Sequence, residues 1–327
     1  MSRKMNIKDI GGEFALIKRI TRDVKDKNIH LGIGDDAAVL NINGKLLVIT
    51  TDTLVENDHF SLKWFTPKQV GMKAIEINVS DIGAMGGKPK YALVSLVLRR
   101  DTPVKFVDEL YKGMRQAGKK HGVEIIGGNI THGNELVIDI DMIGEVKKEE
   151  LCLRSAAKPG DFILVSGDLG KSKAALNLFI KGKINKKNKN NFKKIIEAHT
   201  EPKAKFHKVK KFIKYIDAMI DVSDGIASDV TRICEQSKTG AIIYSDNIPI
   251  ADETRRAAKL LGENALDYAL YGGEDFELIF TVSEKNLRNV KGFLIGEITK
   301  KKGVRLYQKG KEKLITKHGY DHFIAGV

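Results

Sequence analysis

Four short acidic stretches, running from residue 32 to residue 225, constrain this chain more than any other feature. They are Gly32-Ile33-Gly34-Asp35-Asp36, Thr50-Thr51-Asp52-Thr53, Asn78-Val79-Ser80-Asp81 and Asp221-Val222-Ser223-Asp224-Gly225. Each sets a carboxylate beside a small or hydroxylated residue. Three of them follow an apolar run or close a helical pattern, where side chains can converge at one end of a sheet. Hard cations such as Mg²⁺ take oxygen ligands and keep much of their water. Aspartates with Thr and Ser oxygens suit several such ions better than they suit zinc or iron. Together with the Gly-rich turns, this points to phosphoryl transfer.

The chain has 327 residues, 42% hydrophobic and 30% charged, which fits two domains or one large one with a real core. No apolar run approaches the roughly 18 residues that span a bilayer. The start, Met1-Ser2-Arg3-Lys4-Met5-Asn6, is not an apolar signal region. Cys152 and Cys234 have neither CxxC spacing nor a His partner pattern, so they read as reduced packing residues of a cytoplasmic protein. A net charge of +14 raises the question of nucleic acid. Residues 181–214, however, hold 13 lysines against Glu197 and Glu201, so one segment supplies most of the excess. Phe192, Phe206 and Phe212 sit at helical spacings and read as core. The lysines therefore read as a solvated surface, with residues 181–194 an exposed loop, and a nucleic-acid partner is not expected.

Periodicity predicts a helix over 8–21, with Phe14, Leu16, Ile17 and Ile20 apolar. Strands 37–40 and 45–50 form a hairpin across Asn43-Gly44, which delivers Thr51 and Asp52 at a strand end. Pro67 opens a helix reaching about Met85. A strand over 91–98, a helix over 104–121, a short strand 123–126 ending in Gly127-Gly128-Asn129, and a strand over 136–146 follow. The pattern then restarts, placing a boundary between domains 1–147 and 148–327. The second half reads as a strand 162–166, a helix from Ser172, a helix over 192–215, a strand 218–222, a helix from Ser223, a strand 241–244, a helix 251–261, a strand 276–282 and a basic C-terminal segment. Neither half alternates strictly as βαβ, so the fold class is α+β.

Gly167-Asp168-Leu169-Gly170-Lys171-Ser172 is not a Walker A loop, because Val165 stands where the first glycine is required. It is a strand-to-helix turn whose helix N-terminus could face an anion. No protein-kinase motif set is present. Singly, each aspartate has a structural reading: Asp224-Gly225 is a turn dipeptide, Ser223 a helix N-cap, Asp36 and Asp52 turn or cap residues.

Taken together, the blocks resemble a known family. Residues 32–40, Thr50-Thr51-Asp52-Thr53-Leu54-Val55-Glu56, His59-Phe60, residues 78–86, residues 154–161, Asp221 to Gly225 and Tyr271-Gly272-Gly273-Glu274-Asp275-Phe276-Glu277-Leu278 resemble the thiamine-monophosphate kinases. The resemblance runs from about residue 10 to Phe323. It implies the two-domain α+β scaffold of the aminoimidazole-ribotide-synthetase-like (PurM-like) superfamily, ATP as co-substrate, several Mg²⁺ ions and a homodimer. It implies that Asp35, Thr51, Asp52, Asp81, Asp221 and Asp224 hold Mg²⁺, joined by Thr50 through its carbonyl and by Asn129. Tyr111, Gly128, Asn129, Arg154 and Ser223 would contact ATP. His59, Glu274 and Tyr320 would face thiamine, Tyr320 lying in His318-Gly319-Tyr320-Asp321-His322-Phe323. Two positions depart from the family pattern. Asn129 stands where many members have Asp, keeping a carbonyl oxygen but losing a charge, and His132 stands where many carry Arg.

The implied reaction moves the ATP γ-phosphoryl group to thiamine monophosphate. A phosphate monoester has its second pKa near ~6, so the nucleophile is largely dianionic at neutral pH and needs no general base. Screening two anions and aligning them supplies the catalysis, and the aspartates act as metal holders. Another ATP-using enzyme of the superfamily is an alternative. Selenophosphate synthetase needs an N-terminal Cys or selenocysteine beside a lysine, and the first cysteine here is Cys152. A basic nucleic-acid-binding protein is a further alternative, one that leaves every aspartate motif unexplained.

Overall fold

The computed structural model describes residues 5–21, 24–185, 187–316 and 319–323. Residues 1–4, the Phe14 side chain, Lys186 and His318, all used above, lie outside the described residues. The first half supplies strands β1 (Ile29–Leu31), β2 (Ala38–Ile42), β3 (Lys45–Val55), β4 (Lys88–Leu98), β5 (Glu124–His132) and β6 (Val137–Val146), and helices α1 (Glu13–Ile20), α2 (Pro67–Ala84) and α3 (Val104–His121). The second supplies β7 (Phe162–Val165), β8 (Met219–Asp221), β9 (Gly240–Tyr244), β10 (Leu278–Val282), β11 (Phe293–Thr299), β12 (Gly303–Gln308) and β13 (Lys311–Leu314). Its helices are α4 (Lys171–Ile180), α5 (Lys193–Thr200), α6 (Phe206–Val209), α7 (Ile226–Ser237), α8 (Asp252–Leu261) and α9 (Ala265–Tyr271). The strands make a six-stranded sheet, β1-β2-β3-β6-β4-β5, and a seven-stranded sheet, β13-β12-β9-β11-β7-β10-β8. The pairs β4·β5 and β9·β12 are parallel and the rest antiparallel, so the fold is α+β with mixed sheets. Among the described residues no helix is long and apolar enough to cross a membrane.

Burial alternates along β3, β4 and β6, as expected for strands with one covered face. The cover is α2 and α3. Thr66 caps α2 with Gln69 in a capping box, and Pro67 occupies its first turn. Thirteen of the 18 residues of α2 are buried, because it packs on the first sheet, on α3 and on elements of the second half. Gly71 and Gly113 permit the α2–α3 approach: a Cβ would lie 2.0 Å from the Leu110 carbonyl oxygen at the first and 1.9 Å from that of Lys68 at the second.

Several local expectations need correction. The strand predicted to stop at residue 50 continues to Val55, so Thr50 and Asp52 lie within the ladder opposite Met142 and Ile140. Gly127, Gly128 and Asn129 do not end β5 but lie inside it, beside a register shift. The N-terminal helix is split by Gly11 and Gly12 at positive φ. The helix expected over 192–215 breaks after Thr200, where Pro202 excludes a helical Glu201, found at φ −139°.

The lysine segment is not simply a loop. Phe192 is buried with Ile195 and Ile196 against α4 and α8, while Lys187, Lys189, Lys193 and Lys194 are solvent-facing or half-exposed. Replacing those four lysines by Gln is expected to leave stability within about 0.5 kcal/mol. Phe192→Ala is expected to lower it by about 3 kcal/mol. Urea unfolding of the two variants measures both, and equal losses would contradict this division.

Candidate active site

Pleating sorts the Thr-Thr-Asp-Thr run onto two faces. Thr50 and Asp52 turn towards α2, whereas Thr51 is exposed on the open face of the sheet. One turn before its end, α2 presents Ser80 and Asp81, and β8 ends on Asp221. Thr50 Oγ1 donates to Asp81 Oδ2 at 2.7 Å, and Ser80 Oγ donates to Asp221 Oδ2 at 2.6 Å. Carboxylate oxygens of Asp36, Asp81 and Asp221 all lie within 4.8 Å of one another. Asp52 is hydrogen-bonded to Asp81.

Burial and mutual repulsion push these carboxyls up. Asp52 rises to about 7 and Asp221 to about 8, in each case from burial first, and Asp81 rises well above its ordinary value for the same reasons. Burial also carries Asp35 to about 6, with Asp36 adding to the rise and Arg154 opposing it. Asp36 Oδ2 is buried with no protein partner. Several acidic oxygens facing one point, one of them unpartnered, fit a hard divalent cation.

Arg154 is the local counter-charge. Its backbone N–H donates to Asp35 Oδ2 at 3.0 Å, and its guanidinium donates to Asp36 and to the Gly34 carbonyl. Asp224 pairs with Arg232, which also reaches the buried Asp229 at 3.1 Å. Ser223 is not the helix cap expected, since α7 begins at Ile226 after Gly225. Its carbonyl instead accepts the Glu274 N–H at 2.8 Å.

A cavity of about 670 Å³ opens beside this cluster. It is lined by Asp35, Thr50, Thr51, Asp52, Asp81, Arg154, Asp221, Ser223 and Asp224, and on its other side by His59, Glu274 and Tyr320. Tyr320 donates its hydroxyl to Asp58 Oδ1 at 2.8 Å, and His322 Nδ1 lies 3.1 Å from Asp58 Oδ2. Tyr111, Gly128 and Asn129 are not in this cavity. Tyr111 is half-buried on α3 against the first core. Asn129 lies on the open sheet face, in one row with Ser95, Asp139 and Thr53.

The Gly-Gly-Glu-Asp-Phe-Glu block divides its labour. Glu274 faces the cavity, and Asp275 receives the N–H groups of Gly170, Lys171 and Ser172 at the start of α4. The anion expected at that helix terminus is thus the protein's own carboxylate. Buried Glu277 draws in Lys171, Lys205 and Lys208, which ties part of the lysine segment to the fold. Sequence reasoning named Asp35 and passed over Asp36, yet Asp36 shares the point with Asp81 and Asp221. It also passed over Lys73, Ser80, Ser172 and His199, which face the acidic residues from α2, α4 and α5. The Asn-Val-Ser-Asp motif carried the signal for Ser80.

The chain matches the family descriptions "AIR synthase related protein, N-terminal domain" over residues 34–146 and "AIR synthase related protein, C-terminal domain" over residues 158–309. It is 38% identical to the thiamine-monophosphate kinase of Aquifex aeolicus over 85% of this chain and 87% of that protein. It is 35% identical to that of Bacillus subtilis over 95% of this chain and 99% of the other. The solved structure described as "AaThiL complexed with AMPPCP and TMP" superposes with a TM-score of 0.89 at 34% identity, covering 98% of this chain and 100% of that one. Shared sequence over most of the length, the shared fold and the acidic cavity lined from both halves of the chain lead to one conclusion: the chain belongs to the thiamine-monophosphate kinase family.

Proposed function

We propose that this chain transfers the γ-phosphoryl group of ATP to thiamine monophosphate, giving thiamine diphosphate by direct in-line displacement. The observation that carries this reading is the meeting of Asp36, Asp81 and Asp221 within 4.8 Å, with a buried Asp36 oxygen left unpartnered, beside a cavity of about 670 Å³. Family membership and the related structure with AMPPCP and TMP support it. Asp36, Asp52, Asp81, Asp221 and Asp224 would hold Mg²⁺, with Asp35, Thr50 and Thr51 beside them. Bound there, such ions screen phosphate repulsion and act as Lewis acids. The residues themselves orient the donor and acceptor and need move no proton, because the acceptor phosphate is already ionised. His199, buried and pushed down to about 4, is neutral at pH 7 and offers hydrogen bonding, not charge.

We assign residues 1–147 and 148–327 as two domains that share this site: Asp36, Asp52 and Asp81 come from the first, and Arg154, Asp221, Asp224 and Glu274 from the second. The open face of the first sheet exposes Tyr91 at 47% and Leu93 at 38%, with Leu93 in one row with Thr51, Asp141 and Gly127 and Asn129 in the next row of the same face. We infer that a second copy covers this face in a homodimer, which gives Gly128 and Asn129 a nucleotide to meet. Free, buried Cys152 and Cys234 suit a reducing compartment such as the cytoplasm.

The decisive assay is ATP-dependent conversion of thiamine monophosphate with Mg²⁺, read by product mass. A product heavier by one phosphoryl group is expected. ADP release with unchanged thiamine monophosphate would refute the reading. Light scattering at assay concentration tests the dimer, which a monomer mass would rule out. Tyr320 has a half-exposed ring at the cavity mouth, edge-on to His322 at 4.9 Å. Because an aromatic face attracts a cationic heterocycle, Tyr320→Ala is expected to raise the KM for thiamine monophosphate roughly 3- to 30-fold and to leave that for ATP nearly unchanged. Steady-state kinetics in both substrates checks this, and equal changes would displace Tyr320 from the thiamine side.

A further inference from the structure

We propose that Lys73 is the positioning residue of the thiamine side: its single ammonium fixes both the Glu274 carboxylate and the His59 loop against the cavity. This deepens the function proposed above and rests on it. Lys73 lies in the middle of α2 and its side chain is fully buried. Nζ donates to Glu274 Oε1 at 2.5 Å and to the His59 carbonyl at 2.7 Å, and it sits 5.5 Å from the Phe65 ring centre. Two segments far apart in sequence are thus tied to one charge. An apolar side chain of similar length would fill this space without the desolvation that a buried ammonium suffers. Packing alone therefore does not account for a lysine here.

Glu274 carries independent marks of a functional position. It is a non-glycine residue at φ +63°, held by its N–H bond to the Ser223 carbonyl at 2.8 Å, and such backbone strain gathers at working sites. Its second oxygen lies 3.5 Å from Ser172 Oγ and 3.6 Å from His199 Nδ1, and its side chain keeps 29% exposure to the cavity. The ionisable groups that act on Glu274 are Lys73 from α2, His199 from α5 and His59 from the loop after β3, and Tyr320 of the C-terminal segment responds to it in turn. Among the described residues, Lys73 is the only lysine or arginine paired with it. Lys73 thereby keeps Glu274 ionised and aimed at a cation or an exocyclic amine, the two features that a thiamine ring system offers a carboxylate. On the other side, His59 Nδ1 accepts the Val55 N–H at 3.1 Å, so its proton sits on Nε2, and the Lys73 bond holds the backbone that sets this ring.

The test compares wild type, Lys73→Met, Glu274→Gln and the double variant, using calorimetric binding of thiamine monophosphate and steady-state kinetics. Lys73→Met is expected to weaken thiamine monophosphate binding at least tenfold, the loss of one charge-assisted bond, with the KM for ATP within about twofold of wild type. The acid limb of kcat/KM for thiamine monophosphate should move to higher pH, since Glu274 loses the charge that held its proton affinity down. The double variant should lose less than the sum of the two single losses, because the Lys73–Glu274 bond is removed only once, and should exceed Glu274→Gln only by the share of the His59 contact. Equal losses for both substrates, an unmoved acid limb or additive losses in the double variant would overturn the proposal. If Lys73→Met does not fold, the double variant decides: folding with thiamine monophosphate bound more weakly than by Glu274→Gln, and with an unchanged KM for ATP, supports the proposal, and failure to fold overturns it. Absence of any conversion by wild type would instead refute the proposed function, a separate outcome.

Discussion

Asp52→Asn is expected to lose roughly 10²–10³-fold of turnover while raising the melting temperature of the metal-free protein by a few degrees. The two changes have one cause. Asp52 is buried against Asp81, with Asp36, Asp139 and Asp224 adding to the repulsion. An amide keeps the hydrogen bond to Asp81 and removes a charge that the folded state holds at a loss. The sign follows from linkage. A carboxyl raised to about 7 or 8 in the folded chain, against about 4 unfolded, binds its proton more tightly when folded. Metal-free stability is therefore greatest below pH 4 with respect to these groups and falls as pH rises towards 8. In Asp52→Asn that slope should flatten. Scanning calorimetry at pH 5 and pH 8, with turnover measured over a Mg²⁺ series, reads every part. Near-normal turnover at low Mg²⁺, or a lower melting temperature, would show that Asp52 is not part of a cation site.

What the sequence made legible depended on how local the cause was. The Asn43-Gly44 turn, Pro67 at the start of α2 and the alternation of residues 45–50 act within a few residues, and they were readable. The convergence of the four acidic stretches was readable as a pattern, because carboxylates beside Thr and Ser have few other collective uses. The choice between Asp35 and Asp36 was not. Both meet Arg154 from the other half, and only the tertiary fold brings an Asp36 oxygen within 4.8 Å of those of Asp81 and Asp221. Glu274, Asp275 and Glu277 belong to one motif, yet each has a different tertiary partner, which no spacing rule specifies. Lys73 carries no motif that marks it out within the helix opened by Pro67. It became interior because α2 is covered on several sides. Tyr111, Gly128 and Asn129 came from resemblance alone, and a single copy of the chain gives them no shared cavity.

Arg154→Leu is expected to destabilise the metal-free protein by about 3–5 kcal/mol at pH 8, the usual consequence of removing one partner from a buried ion pair. Resemblance casts Arg154 as an ATP contact, and in the structure it first holds the acidic loop together. Its side chain is only 12% exposed, and it meets Asp35, Asp36 and the Gly34 carbonyl, while its own carbonyl accepts the Ser237 hydroxyl at 2.7 Å. Without the guanidinium, two buried carboxylates face Asp81 and Asp221 with no cation. Asp35 stands at about 6 even with Arg154 beside it, so removing the arginine raises it further. The penalty is then full above that value and fades as pH falls towards 5 and the carboxyl takes a proton. Millimolar Mg²⁺ should remove the penalty by another route, since a cation bound among the same oxygens replaces the lost charge and stabilises the folded state by mass action. Denaturant unfolding at pH 5 and pH 8, with and without Mg²⁺, separates the outcomes. A penalty independent of pH would mean that Arg154 acts through packing and not through its charge. Rescue by acid without rescue by Mg²⁺ would mean that the carboxylates repel one another but do not gather a metal, and the proposed route to phosphoryl transfer would lose its foundation.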